Sequence, residues 1–221
     1  GGGGFNPDLE PQKSVSYELG LRGLLSASSR YEIAVFHIDV DDELIPFEIA
    51  TNPGRNYFAN AGKSKRRGLE LALSAEPVSG LSLSLAYTWS RFEFDTFVDD
   101  NGNDFSGNTI PGIPESFAHA DVSYAHESGY FVAVDAMVTD TLFANNANSA
   151  TVDGATVVNL RAGFKKAFGK LEIEPFFGIN NITDTAFTAN VRINAFGGRF
   201  FEPGPERNVY GGVSVRYRQS E

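Results

Sequence analysis

The residues equipped for chemistry are few and scattered. The chain has three histidines, His37, His119 and His126, and no cysteine. Without thiols there is no disulfide scaffold, no cysteine nucleophile and no sulfur-ligated metal. The histidines are dispersed and give no metal-ligating spacing. His119, beside Ser116 and Asp121, is the one grouping from which a hydrolase could be built. Such a site needs its base bonded to both nucleophile and orienting acid, and the chain is read as not being an enzyme. The run Asp99-Asp100-Asn101-Gly102-Asn103-Asp104 has the composition of a calcium loop. Its glycine is misplaced for an EF-hand and no glutamate closes it, so it reads as a polar turn. Asp39, Asp41, Asp42 and Glu43 read as a solvated loop. No metal site and no cofactor is expected. Lys63, Lys65, Arg66 and Arg67 form the one dense basic cluster, and guanidinium groups bind phosphate well.

The elements that must hold these residues follow from the pattern. Among 221 residues, 28 are acidic and 18 basic, a net charge of −10. Nucleic-acid domains carry the opposite sign, so no nucleic-acid partner is expected. No stretch approaches the ~20 apolar residues of a membrane-spanning helix. The dominant period is two, the signature of strands. Leu81, Leu83, Leu85, Tyr87 and Trp89 alternate with Ser82, Ser84, Ala86, Thr88 and Ser90. Similar alternation marks nine strands, near 14–24, 30–40, 66–76, 81–94, 115–126, 130–138, 155–166, 170–192 and 207–217. They are longer than the ~5–6 residues usual in a sandwich. Their connections alternate between short turns and the long loops 41–65, 95–114, 139–154 and 193–206.

That alternation is the mark of an outer-membrane barrel, with short periplasmic turns and long extracellular loops. The expected fold is all-β, an antiparallel up-and-down transmembrane β-barrel. With the long loops outside, residues 1–13 are a remnant of an extracellular loop and 218–221 a periplasmic tail. Complete bacterial barrels have even strand numbers, so nine strands read as part of a larger wall. Parity then assigns a lumen face: Glu18, Arg22, Glu70, Ser74, His119, Asp121, Asp135, Asn159, Arg161, Glu172, Glu174 and Arg216. Arg67 shares parity with Leu69 and points outward at headgroup level, so Lys65 and Arg67 are the residues expected to face lipopolysaccharide. Trp89 and Tyr87 at one end, and Tyr124, Phe164 and Tyr217 at the other, read as interfacial girdles. Pro175 lies within a strand, on the lipid parity, where it removes a ladder donor.

Four segments carry a family resemblance: Asn6-Pro7-Asp8-Leu9-Glu10-Pro11-Gln12-Lys13-Ser14; Asn60-Ala61-Gly62-Lys63-Ser64-Lys65-Arg66-Arg67-Gly68-Leu69-Glu70; Asn180-Asn181-Ile182-Thr183-Asp184; and Phe201-Glu202-Pro203-Gly204-Pro205-Glu206-Arg207-Asn208. In this order they resemble the C-terminal part of the barrel of TonB-dependent outer-membrane receptors. The resemblance implies a 22-stranded barrel, of which these are the last nine strands, filled by a plug domain and energised indirectly through TonB. It also implies energised uptake of a scarce solute across the bacterial outer membrane, a ferric siderophore above all; cobalamin, another metal chelate or a carbohydrate are alternatives. The expected partners are outer-membrane lipid and lipopolysaccharide, the plug and a small-molecule metal chelate. A passive channel and a soluble β-sandwich are the rival classes.

Overall fold

The computed structural model describes residues 9–47, 50–52, 54–60, 62–99 and 101–217. The expected tail 218–221 and most of segment 1–13 lie outside the described residues. Sixteen strands occur in chain order: β1 (Lys13–Ser26), β2 (Ser29–Asp41), β3 (Leu44–Phe47), β4 (Tyr57–Asn60), β5 (Lys63–Val78), β6 (Leu81–Thr96), β7 (Ser116–Ala125), β8 (Tyr130–Thr139), β9 (Leu142–Phe143), β10 (Thr151–Val152), β11 (Ala155–Phe164), β12 (Lys166–Phe168), β13 (Leu171–Asn180), β14 (Thr188–Val191), β15 (Phe201–Pro203) and β16 (Asn208–Tyr217). One antiparallel sheet runs β1-β2-β5-β6-β7-β8-β11-β13, with β12 beside β13 on the β11 side and β16 on the other. The remaining strands form three small hairpins within the long loops.

The wall follows the period-two pattern closely. Its β11–β13 ladder stops at Gly163–Phe176 and resumes at Lys166–Ile173 without a change of register. The gap lies opposite Pro175, which has no N–H to donate. That is the consequence of the proline on the apolar parity. One strand is shorter than its pattern: 170–192 ends at Asn180. Asn181 and Asp184 take left-handed backbone conformations (φ 51° and 56°), and Asn181 Oδ1 accepts the Thr185 N–H at 2.9 Å. An asparagine that satisfies its own backbone in this way breaks a strand.

Short turns stitch one rim of the sheet. Glu76 N–H donates to Ser28 O, Ala125 N–H to Gly80 O and Lys165 N–H to Gly129 O, each at 2.8 Å. Gly80 (φ +80°) and Gly129 (φ +103°) allow this packing, because a Cβ would sit 2.2 Å from Ala125 O and 2.1 Å from Lys165 O respectively. All four long loops lie at the opposite rim.

The two faces of the sheet differ in kind. One carries Leu19, Leu71, Leu85, Val122, Val134, Leu160, Phe177 and Val213, placed together by the registers. No second sheet covers it among the described residues, and Leu19 and Val213 are 74% and 64% exposed. This is not the dry, two-sheet interior of a sandwich. The buried apolar cluster lies instead at the long-loop end, where Ile45, Phe94, Phe97 and Ile110 pack with Phe92, Phe105 and Ile113.

Candidate functional site

The polar face is built by register alone. Successive partners Glu18–Phe36–Gly68–Ser90 and Arg22–Glu32–Ala72–Ala86–His119–Met137 cross the sheet without a slip. Continuing through Ser74–Ser84–Asp121–Asp135–Asn159, and through Arg161–Gly178, the same face reaches Glu172, Glu174 and Arg216. The twelve residues assigned by parity thus share one surface. Ser116 does not: it pairs Trp89 on the apolar face, with its Oγ 3.2 Å from the Tyr87 hydroxyl. Ser116 and His119 point to opposite sides, so no hydrolytic set assembles there.

Two arcs of the polar face differ in pairing. Across β11, β13 and β16 the charges are satisfied. Arg161 lies over the rings of Phe131 (5.7 Å) and Phe176 (4.6 Å) and 3.5 Å from Glu174. Glu172, buried, holds Lys165 at 3.2 Å and Arg216 at 3.1 Å. Across β1, β2, β5 and β6 a trough of about 520 Å³ runs over Gly20, Ala34, Ala72 and Ala86, flanked by Glu18, Arg22, Glu32 and Glu70. Beyond it Asp121 stands directly opposite Asp135, whose Oδ2 accepts from Asn159 Nδ2 at 2.8 Å. Like charges in register repel, so this arc is electrostatically open.

The basic cluster divides between the faces. Lys65 and Arg67 lie on the apolar side, in register with Asp39 and His37 on one strand and Glu93 and Arg91 on the other. Both are paired: Lys65 with Asp95 at 2.6 Å and Arg67 with Glu93 at 3.5 Å, while Arg91 also holds Glu93 at 2.6 Å. The charged band starts one register row beyond Trp89. Arg91 and Glu93 continue the odd parity of Tyr87 and Trp89, the signal by which sequence reading could have found them. Arg66 turns to the other side, bonding buried Glu43, which also accepts from Ser64, and resting 5.5 Å over the Phe92 ring. Glu43 is only 5% exposed, which corrects its reading as a solvated loop acid. A paired guanidinium lets the carboxylate be buried where water could not reach it.

The loops close over the long-loop end of the polar face through carboxamides that no motif marks. Asn194 Nδ2 donates to Pro46 O at 3.0 Å and to Asn146 Oδ1 at 3.1 Å, and Asn194 Oδ1 accepts from Asn146 N–H at 2.9 Å. Asn108 Nδ2 donates to Asn146 O at 2.8 Å, and Asn148 exchanges two 2.8 Å bonds with the backbone of Thr109. Four loops are clasped into one layer. Between them opens a cavity of about 440 Å³. Within the acidic run nearby, Asp99 organises a local turn. Asp99 accepts from Asn101 N–H, Asn103 N–H and Asn103 Nδ2, each at 2.9 Å. The Asn103 side-chain bond, with the backbone bonds behind it, holds the Asp99 carboxyl below its ordinary pKa. No group of three metal-ligating side chains occurs among the described residues.

An open antiparallel wall with one uncovered apolar face, one charged face and inward-folded loops on a single rim defines part of an outer-membrane receptor barrel. The TonB dependent receptor-like β-barrel family matches residues 1–193, and the chain belongs to that family. It is 21% identical over 194 residues to the probable TonB-dependent siderophore receptor PiuA of Acinetobacter baumannii, covering 82% of this chain and 24% of that protein. It is 28% identical over 136 residues to the iron-regulated outer membrane virulence protein of Vibrio cholerae, covering 56% of this chain and 20% of that one. The chain therefore spans a fifth to a quarter of these relatives. Its fold matches BauA, the ferric preacinetobactin receptor of Acinetobacter baumannii, with a TM-score of 0.71 at 20% identity over 94% of this chain and 30% of that one. It matches FyuA, the ferric yersiniabactin uptake receptor of Yersinia pestis, with a TM-score of 0.70 at 19% identity over 93% and 30%.

Proposed function

We propose that this segment forms wall and vestibule of a TonB-dependent receptor that takes up a ferric siderophore across the bacterial outer membrane. The observation that carries the reading is the uncovered apolar face within this family's fold. From Leu81 to Trp89 the apolar run of β6 extends roughly 26 Å along the strand, the scale of the ~25 Å apolar band of such barrels. Hydrocarbon is the solvent that stabilises such a face, and a closed sheet is the only strand arrangement that leaves no backbone unpaired in it.

In this reading the residues from Glu18 to Arg216 on the polar face line the lumen. They meet the plug of the same receptor, which passes the energy of TonB to the cargo. The arc of Glu18, Glu32, Glu70 and Asp121, which form no ion pair among the described residues, offers that plug more than the internally neutralised arc does. Lys65 and Arg67 stand at the level of lipopolysaccharide phosphate; since each already holds a carboxylate, phosphate would share the cation rather than capture it. The siderophore class is supported by the similarity to the siderophore receptors named above. Deleting the gene and measuring uptake of radiolabelled ferric chelates tests it. Loss of uptake of at least one chelate is expected; unchanged uptake of every one rejects the reading.

A further inference from the structure

The four short turns that stitch one rim of the sheet differ in charge. Three of them, residues 26–29, 76–80 and 126–129, hold no lysine or arginine, and two of these carry an acid, Glu76 and Glu127. The fourth, residues 164–171, holds Lys165, Lys166 and Lys170 and no acid, in a chain of net charge −10. The register sends its first two lysines to opposite faces. Lys165 turns to the polar face, where Glu172 holds it together with Arg216. Lys166 lies on the apolar face, in a row with Ile173 and Val215. The next row toward the turn is Phe168, Leu171 and Tyr217, all exposed. In the row on the other side stand Phe164 and Tyr130, with ring centroids 4.7 Å apart. The Lys166 ammonium lies 5.7 Å from the centre of the Phe168 ring, within cation–π reach.

A lysine on the lipid parity is costly in hydrocarbon, but near the end of a strand its stem runs along apolar side chains while its ammonium reaches the headgroups. The two rims differ in what meets the cation. At the long-loop rim Lys65 and Arg67 each meet a carboxylate of the neighbouring strand. At the short-turn rim the register surrounds Lys166 with aliphatic and aromatic side chains, which suit acyl chains, beneath an ammonium that attracts phosphate. The short turns of such a barrel face the periplasm, the side opposite lipopolysaccharide, so the phosphate within reach is that of a glycerophospholipid. A zwitterionic headgroup sets its own cation against these lysines, whereas an anionic headgroup is drawn to them. We infer that the turn 164–171 is a binding site for an anionic phospholipid of the periplasmic leaflet, with Lys166 at its phosphate and Phe168, Leu171 and Tyr217 against its acyl chains. The inference rests on the wall lying in the outer membrane and is independent of the cargo.

The test uses the full receptor in phosphatidylcholine vesicles doped with a photoactivatable lipid, either phosphatidylglycerol or phosphatidylcholine carrying the same diazirine-bearing acyl chain. Peptide mass spectrometry reads the labelling of the segment from β11 to β13, residues 155–180. Heat-resistant electrophoretic migration verifies the wall in each variant. At equal dose, phosphatidylglycerol is expected to label this segment about fivefold more than phosphatidylcholine, the effect of one lysine at an anionic lipid surface. Lys166→Gln should remove most of that preference, and Lys166→Arg should retain it. Equal labelling by the two lipids in the parent overturns the inference, and so does a preference that Lys166→Gln leaves unchanged; either result leaves the wall and the siderophore reading standing. Labelling of the segment by neither lipid rejects its place in the bilayer, and this inference with it.

Discussion

The wall and the loop cap are ordered by different forces. In the wall, residues stay in place because a backbone ladder runs unslipped across nearly the whole sheet, and among the described residues no side-chain core stands behind it. In the cap, regular strands are short, and order comes from a buried cluster around Phe94 and Phe97 together with carboxamide bonds between loops. A wall residue is thus interchangeable with others of the same polarity. A cap residue such as Asn194 has no substitute of the same shape and bonding. The wall tolerates change in identity but not in face; the cap tolerates neither.

The largest expected effect comes from violating face in the wall. Leu85 and Ser84 are neighbours in β6, on opposite sides; Leu85 pairs Leu73 and Ala120, while Ser84 pairs Ser74 and Asp121. Leu85→Lys should cost ~2–4 kcal/mol of stability in lipid, as a charge near the membrane midplane does. Ser84→Lys, beside Asp121, should be close to neutral. Denaturant unfolding of both in vesicles measures the contrast, and equal losses would sink the two-solvent description of the wall.

Next comes the buried pair that fastens cap to wall. Glu43→Ala leaves Arg66 without its carboxylate, and Arg66 Nε already lacks a partner. Removing one member of a fully buried pair costs about 3–5 kcal/mol; Arg66 keeps some access to water, so about 1–3 kcal/mol is expected. The loss should appear as faster proteolysis of loop 42–62, with the wall unchanged. Global unfolding instead would mean that cap and wall are one cooperative unit. A smaller effect, about 1–2 kcal/mol for the lost inter-loop bonds, is expected for Asn194→Ala. Amide exchange should rise at Ala144 and Asn146 and stay constant in β7 and β8. Exchange that rises equally in the wall would erase the distinction between the two regions.

The same contrast explains what could be read from the sequence. Strand existence, the alternation of loop lengths and the shared face of Glu18 through Arg216 all follow from period two, which acts at short range. Ser116 shows the strength of this signal, since its parity alone separates it from His119. The end of β13 was legible only in part: Asn181 belongs to an alternating run, and its left-handed backbone is a choice made by side-chain bonds to Thr185 and Pro205. The cap was not legible. Glu43, Asn146 and Asn194 are ordinary polar loop residues whose partners lie 21 to 148 positions away. No local pattern encodes such pairings.

The smallest effect concerns the cap turn at Asp99, whose carboxylate accepts from Asn101 and Asn103 of the same turn. Asp99 is exposed and its carboxyl is held below the ordinary value by Asn103 and Asn101. The sign follows from that direction. The turn's carboxylate bonds are at full strength above the unfolded carboxyl pKa of about 4 and are lost as pH falls through the lower folded value. Lowering the pH from 7 to 5 should therefore leave the turn intact. Well below pH 4, the Asn101 and Asn103 amide resonances should shift together, while those of Asn146 and Asn194 stay fixed, since no carboxylate accepts from them. Asp99→Asn should remove the transition altogether. If the amides instead titrated at or above the ordinary carboxylate value, the turn would not be drawing on the ionised form, and its independence from the clasped loops would have no electrostatic basis.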